Sequence, residues 1–391
     1  MSLPSSILSI GVYDKKIDLF EGQYPVPDGI CYNSYLILDE KIAVFDTVDA
    51  AYTDEWLKNL RTALMGRTPD YLIVQHMEPD HSASIARVMA EFPFLTLVSS
   101  EKAFSMMRGF FGTDFADRNL SVSEGDTLSL GKHSLRFIMA PMVHWPEVFV
   151  TYDEYTKTLF SADAFGRFGS PDSASPWKDE ARRYYIGIVG KYGAQVLSLL
   201  KKASPLDIRY ICSLHGPILS GDAITEAVRL YTLWASYTPE ENGVAVAYTS
   251  VYGNTKKAVL ELCEMLSARG VRVALHDLAR DDVFEAVADA FRFPILVLAT
   301  TTYNADIFPA MRAFTDHLKE RGFKNRKVAI IENGSWAPMA AKILRERLST
   351  AKDISFAENT VRILSALSDE SRAALNALAD ELSADLQKND N

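Results

Sequence analysis

Cysteine is scarce and scattered. Cys31, Cys212 and Cys263 are odd in number and form no C-x-x-C pair, so neither a disulfide framework nor a thiolate metal cage is expected. They read as small buried hydrophobes. No run approaches the roughly 18 uninterrupted apolar residues of a membrane span, and the N-terminus lacks a basic region followed by an apolar signal core. A cytoplasmic protein without membrane attachment is therefore expected. Positive charge is in deficit too: 41 Lys and Arg face 51 Asp and Glu, a formal net charge of -10. That balance offers no general attraction to phosphate backbones, so nucleic acid is not an expected partner. What is present is 391 residues, 48% apolar and 24% charged, enough material for two cores.

The segment 234–243, WASYTPEENG, interrupts an apolar helical pattern with Pro239, two acidic residues and a glycine, as an interdomain connection does. Domains of 1–239 and 240–391 are expected. In the second, VAVAY (244–248), VRVALHDL (271–278), PILVLAT (294–300) and KVAIIEN (327–333) alternate with helical runs, the mark of a parallel sheet covered on both faces. In the first, strands come in runs. Turns at Asp39-Glu40 and Glu154-Tyr155 join apolar stretches into hairpins, which predicts a layered α/β sandwich with antiparallel pairs. The C-terminal stretch from Ser368 to Gln387 reads as an amphipathic helix with Leu375, Leu378 and Leu382 on one face.

Residues 76–81, HMEPDH, run from the apolar strand YLIV into a helical pattern. His76, Glu78, Asp80 and His81 thus gather at the carboxyl end of a strand, where open α/β sheets place ligand sites. Pro79 is expected to keep the turn from becoming helical too early. A polar loop with Asp80 capping the next helix is the plainer alternative, but His144, Asp163 and His215 also stand where strands run into loops. His133, His276 and His317 fall outside the set and suit structural or surface roles. Four imidazoles and three carboxylates exceed one tetrahedral ion, whereas two ions about 3.5 to 4 Å apart can share them through a bridging carboxylate. A nitrogen and oxygen set without thiolate suits iron, manganese or zinc, and its carboxylates favour iron without excluding zinc.

A second constellation follows VAVAY. Thr249, Ser250, Val251, Tyr252, Gly253, Asn254 and Thr255 lead directly into a helix. Small hydroxylated residues and Gly253 let backbone amides approach a phosphate, and the helix N-terminus adds partial positive charge. The loop carries neither the G-x-x-x-x-G-K-S/T pattern of triphosphate sites nor G-x-G-x-x-G. Two more loops at strand ends supply Thr301, Thr302, Tyr303 and Asn304, and then Asn333, Gly334, Ser335 and Trp336. Tyr303 and Trp336 offer faces to a flat heterocycle, while Asn304 and Asn333 offer hydrogen bonds to its edge. Three such loops on one sheet point to a mononucleotide flavin.

Together the two constellations resemble those of the flavodiiron proteins, or A-type flavoproteins, over nearly the whole chain. HMEPDH with His144, Asp163 and His215 matches the family's H-x-E-x-D-H…H…D…H pattern. The first domain is similar to the metallo-β-lactamase fold, an αββα sandwich, and the second to a short-chain flavodoxin, a doubly wound parallel sheet binding FMN. The resemblance implies that His76, Glu78 and His144 hold the iron nearer the flavin. It gives Asp80, His81 and His215 to the other iron, with Asp163 as bridge. Hydrolytic relatives typically carry histidine where Glu78 stands, which favours iron over zinc. Thr300-Thr301 replaces a Ser-Pro common in the family's second loop, and ENGSWAP departs from its glycine-rich third loop. Neither change removes backbone donors. Tyr184 and Tyr185 lie in a segment similar to a family helix at the site and are candidates for placing a hydroxyl near substrate, although a Tyr-Tyr pair on an amphipathic helix also suits a core.

The implied activity is passage of electrons from an external donor through FMN to a non-haem diiron site that reduces O2 to water, NO to N2O, or both. No cysteine-bearing rubredoxin module follows the flavodoxin segment, so a separate donor is expected, rubredoxin or a reduced deazaflavin. The resemblance also implies a head-to-tail homodimer, or a dimer of dimers, with FMN of one subunit against the diiron site of the other. Two other readings fit the residues: a dizinc hydrolase joined to a flavodoxin, and an FMN electron carrier with a structural metal domain.

Overall fold

The computed structural model describes residues 3 to 389 and forms two compact units, Met1–Ala235 and Ser236–Asn391. Residues 1, 2, 390 and 391, included in the expected domain ranges, lie outside the described residues. The helix Asp222–Ala235 stops short of Pro239 because Tyr237 takes a left-handed backbone, with φ 58.

The first unit is built on two six-stranded sheets. One runs in spatial order Ile7–Ser9, Tyr35–Ile37, Ala43–Phe45, Tyr71–Ile73, Thr96–Ser99, Asn119–Ser121. The other runs Thr127–Ser129, Ser134–Met139, Phe149–Asp153, Thr158–Phe160, Tyr210–Cys212, Leu219–Ser220. Both expected hairpins form: Tyr35 pairs antiparallel with Phe45, and Thr151 with Phe160. Tyr35, Ile37, Phe45, Ile73 and Val98 from the first sheet meet Leu135, Phe137, Phe149, Phe160 and Cys212 from the second in one apolar layer. Phe45 and Phe160 stack across it with ring centroids 3.9 Å apart. Successive residues of the central strands are buried whichever face they point to, so each sheet is covered on its outer side as well.

In the second unit the parallel strands lie in the order Val273–Asp277, Val244–Tyr248, Ile295–Tyr303, Arg326–Asn333. A fifth position is split between Ile354–Phe356 and Val361–Ile363, both parallel to Arg326–Asn333. This is the 2-1-3-4-5 order of a doubly wound sheet, whose ligand crevice lies at the carboxyl ends of strands where the order reverses. The C-terminal helix Asp369–Asn389 buries Leu375, Leu378, Leu382 and Leu386 in the same cluster as Val259, Leu262 and Leu266 of helix Asn254–Ala268.

Candidate active site

The loops that carry the seven candidate ligands leave the two sheets of the first unit. Met139 pairs with Phe149, Phe160 with Thr151, and Phe160 again with Cys212. The register therefore brings the exits to His144, Asp163 and His215 to one end of the second sheet. The strand before HMEPDH ends at Ile73, one residue earlier than the apolar pattern YLIV suggests. Beyond it the chain is held by buried Asp46, whose Oδ1 accepts from the backbone N–H of Gln75 (2.7 Å) and of His76 (3.3 Å). Pro79 does not delay the helix but begins it: Pro79–Ser82 is a single turn containing Asp80 and His81. Proline suits that first position because its missing N–H has no partner to lose. Glu78 stands at the N-cap, yet its side chain makes no capping bond and turns toward the histidines instead.

Those histidines form two groups. His76, Glu78, His144 and Asp163 offer ligand atoms within 4.8 Å of one another, and so do Asp80, His81 and His215. Asp163 divides its oxygens between them. Its Oδ2 lies 3.0 Å from His144 Nε2 and 3.5 Å from His76 Nε2, while Oδ1 lies 3.4 Å from His81 Nε2 and 3.9 Å from His215 Nε2. Glu78 Oε2 closes the first group at 3.2 Å from His76 Nε2 and 3.0 Å from His144 Nε2. Asp80 Oδ2 closes the second at 3.3 Å from His81 Nε2 and 3.4 Å from His215 Nε2.

The electrostatics match a site built for cations. Burial raises the Asp80 carboxyl to about 7 against the pull of His81. Both its oxygens are buried without a hydrogen-bond partner, as is Oδ1 of Asp163. Burial opposes protonation of His144, but Asp163 and Glu78 raise it to about 9. Buried carboxylates with free lone pairs facing imidazole nitrogens are costly unless a positive ion compensates them. All seven expected residues meet here, and the donor set fits two metal ions.

Sequence reasoning missed the groups behind the ligands. His76 Nδ1 lies 2.9 Å from Glu147 Oε1, and His215 Nδ1 lies 2.7 Å from the Cys31 carbonyl. Glu147 stands three residues after His144, a spacing that could have drawn attention to it; a backbone carbonyl leaves no such trace. Tyr184 and Tyr185 part company. The Tyr184 ring is 5.4 Å from that of His215, and its hydroxyl is buried with no hydrogen-bond partner. Tyr185 packs its ring on Tyr231 and Trp234 at 5.0 and 5.4 Å. They straddle the change from helix Trp177–Tyr184 to a π-helical turn, Tyr185–Val189, and such turns recur at functional sites.

In the second unit a cavity of about 490 Å³ is walled by the three expected loops. Ser250, Val251, Tyr252, Asn254, Thr255, Thr301, Thr302, Tyr303, Asn304, Asn333, Gly334, Ser335 and Trp336 line it, while Thr249 and Gly253 do not. Thr249 is buried, with its hydroxyl 2.7 Å from that of Thr300. Gly253 serves the backbone instead, taking φ 89 at the start of helix Asn254–Ala268, where no side chain caps the first turn. Ser365 also lines the cavity; it follows the half-strand Val361–Ile363, which the sequence pattern did not show. Asn333 ties these pieces together, donating to Thr255 Oγ1 (3.3 Å) and to the Ser365 carbonyl (3.1 Å). Tyr252 and Trp336 are 93% and 83% exposed, so both present open faces. An uncapped helix start between two free aromatic faces fits a phosphate-bearing flat heterocycle. A larger cavity, about 720 Å³, holds Lys327 and Asp385, which pair with each other; it lies away from the three loops.

Residues 30–216 match the model of the ODP family beta lactamase. The chain is 31% identical over 366 residues to a nitric oxide reductase of Moorella thermoacetica, covering 90% of each. Its fold superposes on rubredoxin:oxygen oxidoreductase of Desulfovibrio gigas with a TM-score of 0.91 at 25% identity, over 99% of this chain and 98% of that one. The flavodiiron protein of Giardia intestinalis gives 0.87 at 25% identity, over 98% and 96%. With both folds and the ligand geometry in agreement, this chain belongs to the flavodiiron protein family.

Proposed function

We propose that this protein is a terminal oxidoreductase that takes electrons from a separate donor and reduces O2 to water, NO to N2O, or both. The observation that carries the reading is the division of Asp163 between two groups of ligands, Oδ2 toward His144 and Oδ1 toward His81, each within 3.4 Å. In this reading His76, Glu78 and His144 hold one iron, Asp80, His81 and His215 the other, and Asp163 joins them. The three loops of the second unit hold FMN, with Tyr252 and Trp336 against its ring system and the start of helix Asn254–Ala268 at its phosphate. When bound, FMN supplies one- and two-electron transfer, and the iron pair supplies the reducing site for a small diatomic gas.

The chain's own residues set the conditions. Buried imidazoles backed by Glu147 and the Cys31 carbonyl keep fixed orientations. Tyr184 is the hydroxyl that we assign to the pocket, because its ring lies against that of His215, a candidate ligand. The likeness to rubredoxin:oxygen oxidoreductase of Desulfovibrio gigas supports rubredoxin as donor; a reduced deazaflavin is the alternative. Exposed Tyr252 and Trp336 at the flavin loops support a head-to-tail homodimer, or a dimer of dimers, that covers them. Among the described residues no helix is long and apolar enough to cross a membrane, which is compatible with a cytoplasmic enzyme.

The test is anaerobic reduction of the iron- and FMN-loaded protein followed by parallel measurement of O2 and NO consumption. Turnover of either gas supports the reading. Failure to consume both, with two irons and FMN present, would refute it.

A further inference from the structure

Glu147 is outside the seven ligands and is completely buried, with no exposure of its side chain. Its Oε1 receives two donors, His76 Nδ1 at 2.9 Å and the backbone N–H of Met77 at 2.9 Å. Its backbone carbonyl accepts from Ser100 Oγ at 3.0 Å, which fixes the residue from behind. Oε2 is buried without a partner. A neutral imidazole that donates through Nδ1 presents Nε2 as a lone pair, the form that binds a metal, and His76 Nε2 faces Glu78 and Asp163.

The other group is backed differently. His215 Nδ1 meets a neutral carbonyl, that of Cys31, and His81 Nδ1 is buried with no hydrogen-bond partner. The two groups thus share a bridging carboxylate, but only in the first does a carboxylate bond to a ligand's Nδ1. A carboxylate behind an imidazole raises its basicity as a ligand, which a carbonyl does less strongly.

Building on the diiron reading, we propose that Glu147 is a positioning residue. It locks His76 in the tautomer that presents Nε2 and makes the His76–Glu78–His144 group the more electron-rich of the two. The influence passes through His76, so it reaches one metal position and not the other.

The full-length apoprotein titrated with Co(II), followed by visible absorption, tests this without turnover. Wild type shows two binding steps. Glu147→Ala weakens one of them by about 10- to 100-fold, the usual cost of losing such a partner, and leaves the second unchanged. In a His76→Ala background the same substitution adds nothing. Glu147→Gln keeps an acceptor for both N–H groups, so it preserves the fold and restores part of the lost affinity.

In the iron-loaded protein Glu147→Gln raises the potential of one ferric/ferrous couple, a tenfold change in preference corresponding to about 59 mV. The other couple does not move. Equal weakening of both cobalt steps, no weakening, an added effect in the His76→Ala background, or equal movement of both potentials overturns the assignment. A wild-type protein that binds cobalt in this pattern, yet consumes neither gas when iron-loaded and reduced, overturns the reductase reading and leaves Glu147 in its role.

Discussion

His81 Nε2 and His215 Nε2 face each other at 3.0 Å inside the first unit. The Cys31 carbonyl takes the Nδ1 proton of His215, so His215 Nε2 carries a lone pair and His81 must supply the proton between them. The energetics agree. Burial, and then the charge on His81, lower His215 to about 4, whereas Asp80 and Asp163 overcome burial and raise His81. Two ring nitrogens this close, with Asp80 beside them, are placed to share one cation.

Proton release on metal binding follows. His144, raised to about 9, is a cation at neutral pH in the metal-free protein and must lose its proton to act as a ligand. Loading at pH 7 therefore acidifies a weakly buffered solution, as read by an indicator dye. The release falls as the starting pH rises through 9, and a pH-independent release would contradict this account.

Asp163→Asn removes the charge shared by both groups. Gas consumption should drop by roughly 100-fold or more, since partners one step further out already cost 10–100-fold, while FMN content stays at the wild-type level. Retained activity would mean that Asp163 does not join the two groups functionally.

Trp336→Ala separates binding from stability. A side chain that is 83% exposed contributes little to folding, so the melting free energy should change by less than about 0.5 kcal/mol. FMN affinity, followed by flavin fluorescence, should fall by roughly 10-fold through the lost stacking face.

Glu381 provides a pH test remote from both sites. Burial pushes its carboxyl up, but Lys327 and the N–H groups of Asn359 and Glu358 outweigh burial and hold it at about 2. A carboxyl depressed on folding stabilises fully above its unfolded value near 4.5 and loses that contribution as pH falls toward 2. Glu381→Gln should therefore cost about 1–2 kcal/mol at pH 7, discounted for partial exposure, and almost nothing near pH 2. Urea titrations at the two pH values measure it.

The sequence showed much of this because ligands and loops are local signals. HMEPDH packs four ligands into six residues, and the flavin loops follow apolar strands with regular spacing. Strand ends were less legible: Ile73 closes its strand early, and Asp46, just past the end of the neighbouring strand, takes the N–H groups of Gln75 and His76. The half-strands Ile354–Phe356 and Val361–Ile363 are too short to show a period, and so Ser365 went unnoticed. Glu147 and the Cys31 carbonyl were hidden for another reason. Their roles depend on contacts across 71 and 184 residues of chain, which no local pattern encodes.

The loops to His76–His81 leave one sheet of the sandwich, and those to His144, Asp163 and His215 leave the other. Ions seated among them would act as a clasp, fastening the two layers at one end where the apolar interior alone does not. Because a ligand bound only by the folded state adds its binding free energy to stability, metal supply would govern how long each molecule survives as well as how fast it works.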